Sequence, residues 1–237
     1  AMGVKMAQIS SKVVKRSVKG HYEALEVKSA ETDLFAYTIL QYLQTQGLDQ
    51  LASDITNTTK EQIRRYLIQS AEQNLTLPES IALLRNAGIT DYRAELIART
   101  ETGRAANIGS MVGATSTGLV TIKEWIAAKD NRTRRIPRDQ FDHLNMDGTK
   151  IPMDATFKLQ NKKGGFDLML HPCDSSGSAG DVCNCRCTLG YEAQRDKNGK
   201  LLKLQDNPPK GNVGMIWGIL TNAVGMQIGR LIADLFE

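Results

Sequence analysis

Apolar positions recur every three or four residues in the first half of the chain and alternate residue by residue in the second. Leu34, Tyr37, Leu40 and Leu43 mark one face of a helix between Tyr22 and Gln46, ended by Gly47. In "TTKEQIRRYLIQSAEQ", Thr58 and Glu61 stand at capping-box spacing, and Ile63, Tyr66 and Leu67 fall on one stripe. "TLPESIALLRNAG" repeats the device, with Thr76 as cap, Pro78 in the first turn, Glu79 at the third position and Gly88 as the stop. A long helix is expected from Thr90 toward Gly118, and its Ala, Gly and Ser positions predict a face that packs closely on a neighbour.

Beyond Gly118 the period shortens. "LVTIKEWIAAKD" alternates β-branched residues, Asp147-Gly148 in "NMDGTKIPM" is a favoured hairpin dipeptide, and "TFKLQNKKGGFDLML" reads as a strand pair around Gly164-Gly165. The predicted fold class is α+β: a helical N-terminal half, a small antiparallel-strand unit and a separate C-terminal helix. The expected divisions are a basic arm over 1–22, a helical region over 23–118, the α+β unit over 119–192, a polar linker over 193–211 and an apolar, Gly-rich helix over 212–237. The arm carries Lys5, Lys12, Lys15, Arg16 and Lys19 with no acid before residue 20. The last helix spaces Gly214, Gly218, Gly225 and Gly229 for close helix packing. Thr221, Asn222 and Gln227 argue against a membrane span there and for self-association or docking on a partner.

Composition refines this picture. Aromatic residues make up only 5% of the 237-residue chain against 41% hydrophobic, so the core is built from aliphatic side chains, as in helical proteins. A net charge of +4 permits nucleic-acid contact without demanding it. Six residues, Lys123, Lys129, Arg132, Arg134, Arg135 and Arg138, form a basic run interrupted by Glu124, Asp130 and Asp139. Exposed, the run would bind duplex DNA through phosphates without reading sequence; the other reading is a solvated loop with local ion pairs.

All four cysteines fall between Cys173 and Cys187, and Cys183, Cys185 and Cys187 alternate with Asn184 and Arg186. On a strand such thiols share one face. Cys185, Cys187, His143 and Cys173 could complete a tetrahedral set for a structural zinc ion, with His171 a further candidate. A Cys185–Cys187 disulfide is disfavoured, because the Cα atoms of alternate strand residues lie about 6.6 Å apart. A Cys173–Cys183 bridge across the Gly- and Ser-rich loop and simple packing of reduced thiols stay open. No charged-then-apolar leader opens the sequence, so reduced thiols are the expectation. The polar set Asp130, Arg132, Arg134, His143 and Asp147 suits either acid–base and phosphate chemistry or a buried structural network. Arg99 and Glu101, with Arg104 within helical reach, read as structural, Glu101 being the carboxylate most expected to be buried.

Several of these strings occur together and in order: "ARTETGRAANIG", "KEWIAAKDNRTRRIPRDQFDHLNMDG", Phe157 and "NCRCTL". Over roughly residues 75–190 the chain resembles the Mu protein F-like family of phage minor head, or head morphogenesis, proteins. It departs from the family in the "RRIPRDQFD" between Arg134 and His143, and in Cys173 before an aspartate. The resemblance implies a structural protein of a tailed bacteriophage or prophage, located in the virion interior near the portal and in the host cytoplasm before assembly. Its implied partners are portal or capsid proteins, and it carries no established catalytic residues. The alternative expectation is a nuclease or nucleotide-transferring effector built on a head-protein-like domain.

Overall fold

The computed structural model describes residues 57–73 and 75–204. The arm over 1–22, the helix between Tyr22 and Gln46 and the helix over 212–237 lie outside them. Three helices come first: α1 (Asn57–Glu72), α2 (Leu77–Asn86) and α3 (Asp91–Ser116). α1 starts at Asn57, one residue ahead of Thr58. At α2 the capping box forms, the Glu79 carboxylate accepting from the backbone N–H of Thr76 (2.7 Å) and from its hydroxyl (2.6 Å). These bonds hold the Glu79 carboxyl below its ordinary range. Gly88 and Gly118 end α2 and α3 with φ of 82° and 67°, the left-handed conformation that costs glycine nothing.

α1 packs on α2, and α2 on α3. The expected small-residue face of α3 is real: Ala94, Ala98, Ala105 and Ala114 are buried. At Gly103 a Cβ atom would meet the Cys173 sulfur at 3.2 Å, so the missing side chain lets a distant loop lie against the helix.

The α+β unit follows, with β1 (Thr121–Ile126), β2 (Lys150–Pro152), β3 (Phe157–Gln160), β4 (Phe166–Met169), the one-turn α4 (Ala179–Val182) and β5 (Thr188–Ala193). Three strands form an antiparallel sheet in the order β2-β1-β5, and β3 pairs with β4 as a separate ribbon around the expected Gly164-Gly165. Alternation in β1 turns Thr121, Lys123 and Trp125 inward; Trp125 pairs with Leu189 and Lys123 with Tyr191 on β5. The Tyr191 hydroxyl shares a 2.9 Å hydrogen bond with Ser110, tying the sheet to α3. Trp125, Phe141, Phe157, Leu159, Met169 and the three buried cysteines make one core.

Two features differ from the sequence expectation. Asp147-Gly148 does not join adjacent strands as a two-residue hairpin. It closes the long connection between β1 and β2, because Gly148 N–H bonds Trp125 O (2.8 Å) and Asp147 accepts from Ala127 N–H (2.9 Å). Within the span read as a linker, Arg195 bridges to Leu201 and Lys203 to Leu119, so residues up to 203 lie against the start of the α+β unit.

Candidate metal centre

Two long irregular segments build the centre: 127–149 between β1 and β2, and 170–187 between β4 and β5. The first carries His143. Its backbone N–H and that of Leu144 both bond the Arg134 carbonyl at 3.0 Å, which fixes the turn that points the imidazole inward. Trp125 meets the imidazole edge-on, with centroids 5.5 Å apart and an interplanar angle of 87°. The second segment carries Asp181 in α4, then Cys185 and Cys187. Cys183 caps the end of α4 and Asn184 takes φ of 60°, reversing the chain just before Cys185. The expected row of three thiols on one strand face is therefore broken. β5 starts only at Thr188, Cys183 is half-buried outside the group, and Cys185 and Cys187 come together from irregular backbone.

Nδ1 of His143 lies 3.4 Å from the Cys185 sulfur and 3.5 Å from that of Cys187. These three donor atoms all lie within 4.8 Å of one another, and the three residues are buried at 1%, 3% and 6% exposure. The other ring nitrogen, Nε2, donates to Asp181, itself 0% exposed. The Cys187 N–H donates to the Cys185 sulfur at 3.4 Å. Cys173 stands beside the group rather than in it, its thiol directed at the Cys185 carbonyl, 3.7 Å away. All four cysteines are free, so the Cys173–Cys183 bridge does not form.

The electrostatics concentrate negative charge on one sulfur. Hydrogen bonds from Cys173 and Cys187 draw the Cys185 thiol well below its ordinary range, against the effect of burial and with His143 helping. Cys173 and Cys187 are pushed up, each first by its bond to Cys185 and then by burial. Burial acts to lower the His143 pKa, but the bonds to Asp181 and Cys185 overcome it and raise the group to about 9. Burial raises Asp181, against its hydrogen bond to His143. A thiolate, an imidazole and an outer carboxylate in line can hold a soft or borderline cation.

The remaining expected polar residues do not converge on His143. Asp130 accepts from the backbone N–H groups of Arg132 (3.0 Å) and Thr133 (2.9 Å) and pairs with Arg186. Asp147 pairs with Lys129 at 2.6 Å. Arg134 bonds the Cys183 carbonyl, and Arg138 bonds Asp139 and the Asn131 and Thr133 carbonyls. Arg99 pairs with Glu95 at 2.8 Å, whereas Glu101 pairs with Arg104 at 2.7 Å in full burial. His171 lies apart, its Nδ1 beside the Pro172 carbonyl, and burial lowers its pKa.

Lys123 does not belong to an exposed basic run. It is an inward position of β1, 0% exposed, donating to the Leu170 carbonyl at 2.8 Å, and burial lowers its pKa to about 8. The alternation running into Trp125 carried this signal. Sequence reasoning missed Asp181 altogether; its one cue is an isolated acid beside Val182 and the first of the alternating cysteines.

Fold and site together define a small α+β domain that buries a His/Cys/Cys cluster, with Asp181 behind its histidine. A model of the phage Mu protein F-like family matches residues 51–190, more than half of the chain, and the chain belongs to that family. It is thus placed among the bacteriophage head morphogenesis proteins. No curated protein and no solved structure matches it.

Proposed function

We propose that this chain is a minor head component of a tailed bacteriophage or prophage, bound in the head interior to the portal or to capsid neighbours, where it assists assembly, DNA retention or ejection. The observation that carries the reading is the family match across 51–190, which spans every described helix and the sheet from β1 into β5. The burial of His143, Cys185 and Cys187 supports it against the effector-enzyme reading, since a group that acts on a large substrate needs an open approach. The family-like core leaves the basic arm over 1–22 and the apolar segment over 212–237 as the elements for partner docking and self-association. Among the described residues no helix is long and apolar enough to cross a membrane.

Non-specific duplex DNA binding is the second part of the reading. It rests on exposed Arg132 and Arg135, which make no ion pair with described residues, together with Lys129, Arg134 and Arg138 nearby. Lys123 is withdrawn from this surface. Random-duplex affinity should fall steeply with salt, and replacing Arg132 and Arg135 by Ala should lower the slope by about two, one for each phosphate contact removed. The test of the main proposal is mass spectrometry of purified heads. The full chain is expected there, and versions lacking 1–22 or 212–237 are expected to be excluded; a chain absent from heads sinks the reading.

A further inference from the structure

Asp181, His143, Cys185 and Cys187 raise a question that packing alone does not answer. The imidazole Nδ1 stands at nearly equal distance from two sulfurs, 3.4 and 3.5 Å. One ring lone pair accepts one good hydrogen bond, and one N–H makes one, so protons serve this geometry poorly. A cation between the three atoms serves all of them. With bonds of about 2.05 Å to nitrogen and about 2.3 Å to sulfur, a tetrahedral zinc ion sets its N and S donors about 3.6 Å apart. The observed spacings are within about 0.2 Å of that value, before any adjustment of the side chains.

The surroundings match a ligand set as well. A ligating histidine generally gives its other N–H to a carboxylate, which fixes the tautomer and the ring plane. Asp181 does this from full burial, and its second oxygen, Oδ2, finds no hydrogen bond among the described residues. The N–H of Cys187 on the Cys185 sulfur favours thiolate over thiol. Trp125 and Phe141, both buried, belong to the same core cluster as Cys185 and Cys187.

We propose that the protein binds one zinc ion through Nδ1 of His143 and the sulfurs of Cys185 and Cys187, with Asp181 as the positioning carboxylate and a small donor such as water in the fourth place. Cys173 is not a ligand. The ion would join two loops that also meet through Asp130 and Arg186 and through Arg134 on the Cys183 carbonyl, tying His143 to sulfurs 42 and 44 residues away. This goes beyond the head-protein role, and the test does not depend on incorporation into heads.

The full chain, purified without chelator or metal resin, should hold about one zinc by elemental analysis. Cobalt added to the stripped protein should give the visible bands of a tetrahedral site together with thiolate charge transfer. Asp181→Asn, which keeps the shape of the side chain, should weaken zinc about 10- to 100-fold in competition with a chromophoric chelator. Cys173→Ser should keep the ion and the cobalt spectrum. Should the Asp181 variant fail to fold, alkylation of the wild type in denaturant strong enough to open the 170–187 loop still decides: Cys185 and Cys187, buried in the folded protein, should react there only after chelation. Trace metal only, no cobalt bands, or thiols equally protected before and after chelation would overturn the proposal.

Discussion

Two buried polar centres lie within reach of α3, and they are completed differently. Glu101 and Arg104 sit three residues apart on one helix, and their 2.7 Å ion pair is extended by Arg104 Nε donating to the Cys173 carbonyl at 2.7 Å. Every component is protein, and the pair fastens the helix to the 170–187 loop. The His143 centre is assembled from two loops. It leaves one nitrogen shared between two sulfurs and Asp181 Oδ2 without a hydrogen bond among the described residues. The local pair is completed by a carbonyl of the loop that it faces, whereas on the zinc proposal the groups brought together over some forty residues of irregular chain would be completed by the ion. Cys173 touches both centres, through its carbonyl to Arg104 and its thiol to the Cys185 carbonyl.

The largest effect should come from breaking the self-sufficient pair. Arg104→Ala leaves Glu101 charged at 0% exposure and should cost about 3–5 kcal/mol. That lowers the calorimetric Tm by roughly 10 °C or more for a domain of this size. A fall of only a degree or two would mean that other groups hold the Glu101 carboxylate without Arg104.

Lys123 gives the comparison a third case, a buried charge that donates to a neutral carbonyl and lies over the Phe157 ring, with Asp174 and Asp154 offsetting its burial only in part. Its pKa falls from 10.5 unfolded to about 8 folded, so the folded state resists the proton. Below pH 8 both states are protonated and the full penalty of about 3 kcal/mol applies; between 8 and 10.5 the folded state binds fewer protons, and stability from this site rises. His143 runs the other way, its contribution present below 6.5 and lost as pH rises through about 9 in metal-free protein. Lys123→Met should therefore stabilise by about 2 kcal/mol at pH 7, the Leu170 carbonyl losing its donor, with the gain vanishing above pH 10.5. Denaturant titrations at pH 7 and pH 10.5 read both values.

The smallest effect belongs to the surface. Lys150 pairs with Glu192 at 2.6 Å, but the side chains are 47% and 57% exposed. Lys150→Ala should change stability by under about 1 kcal/mol and be insensitive to chelation.

Much of the scaffold was legible from local rules. Thr76, Glu79, Gly88 and Gly118 act through contacts within a turn of their own position, so the ends of α2 and α3 follow from sequence. The burial of Glu101 follows from Arg104 at helical spacing. The candidate centre was legible in part: clustering pointed to the cysteines, and His143 was a candidate from the Asp147-Gly148 segment, whereas Cys173 stands outside the group. Asp181 was not, because its partner is 38 residues away and no period links them. Nor was the outcome at Cys183, where one left-handed residue, Asn184, cancels the alternation that the cysteines suggest. Lys123 looks like surface by its charge, but the alternation of β1 turns it inward.

The contrast between the two centres is tested most directly by melting the wild-type protein at pH 7 before and after removal of metal. A completing ion at about a thousand times its dissociation constant contributes about 4 kcal/mol, so stripping should lower Tm by roughly 10 °C, and one equivalent of zinc should restore it. Arg104→Ala should show the same chelator response from its lower starting point. A wild-type Tm that does not move on stripping or on zinc addition would contradict the account, and would make the His143 centre as self-sufficient as the Glu101–Arg104 pair.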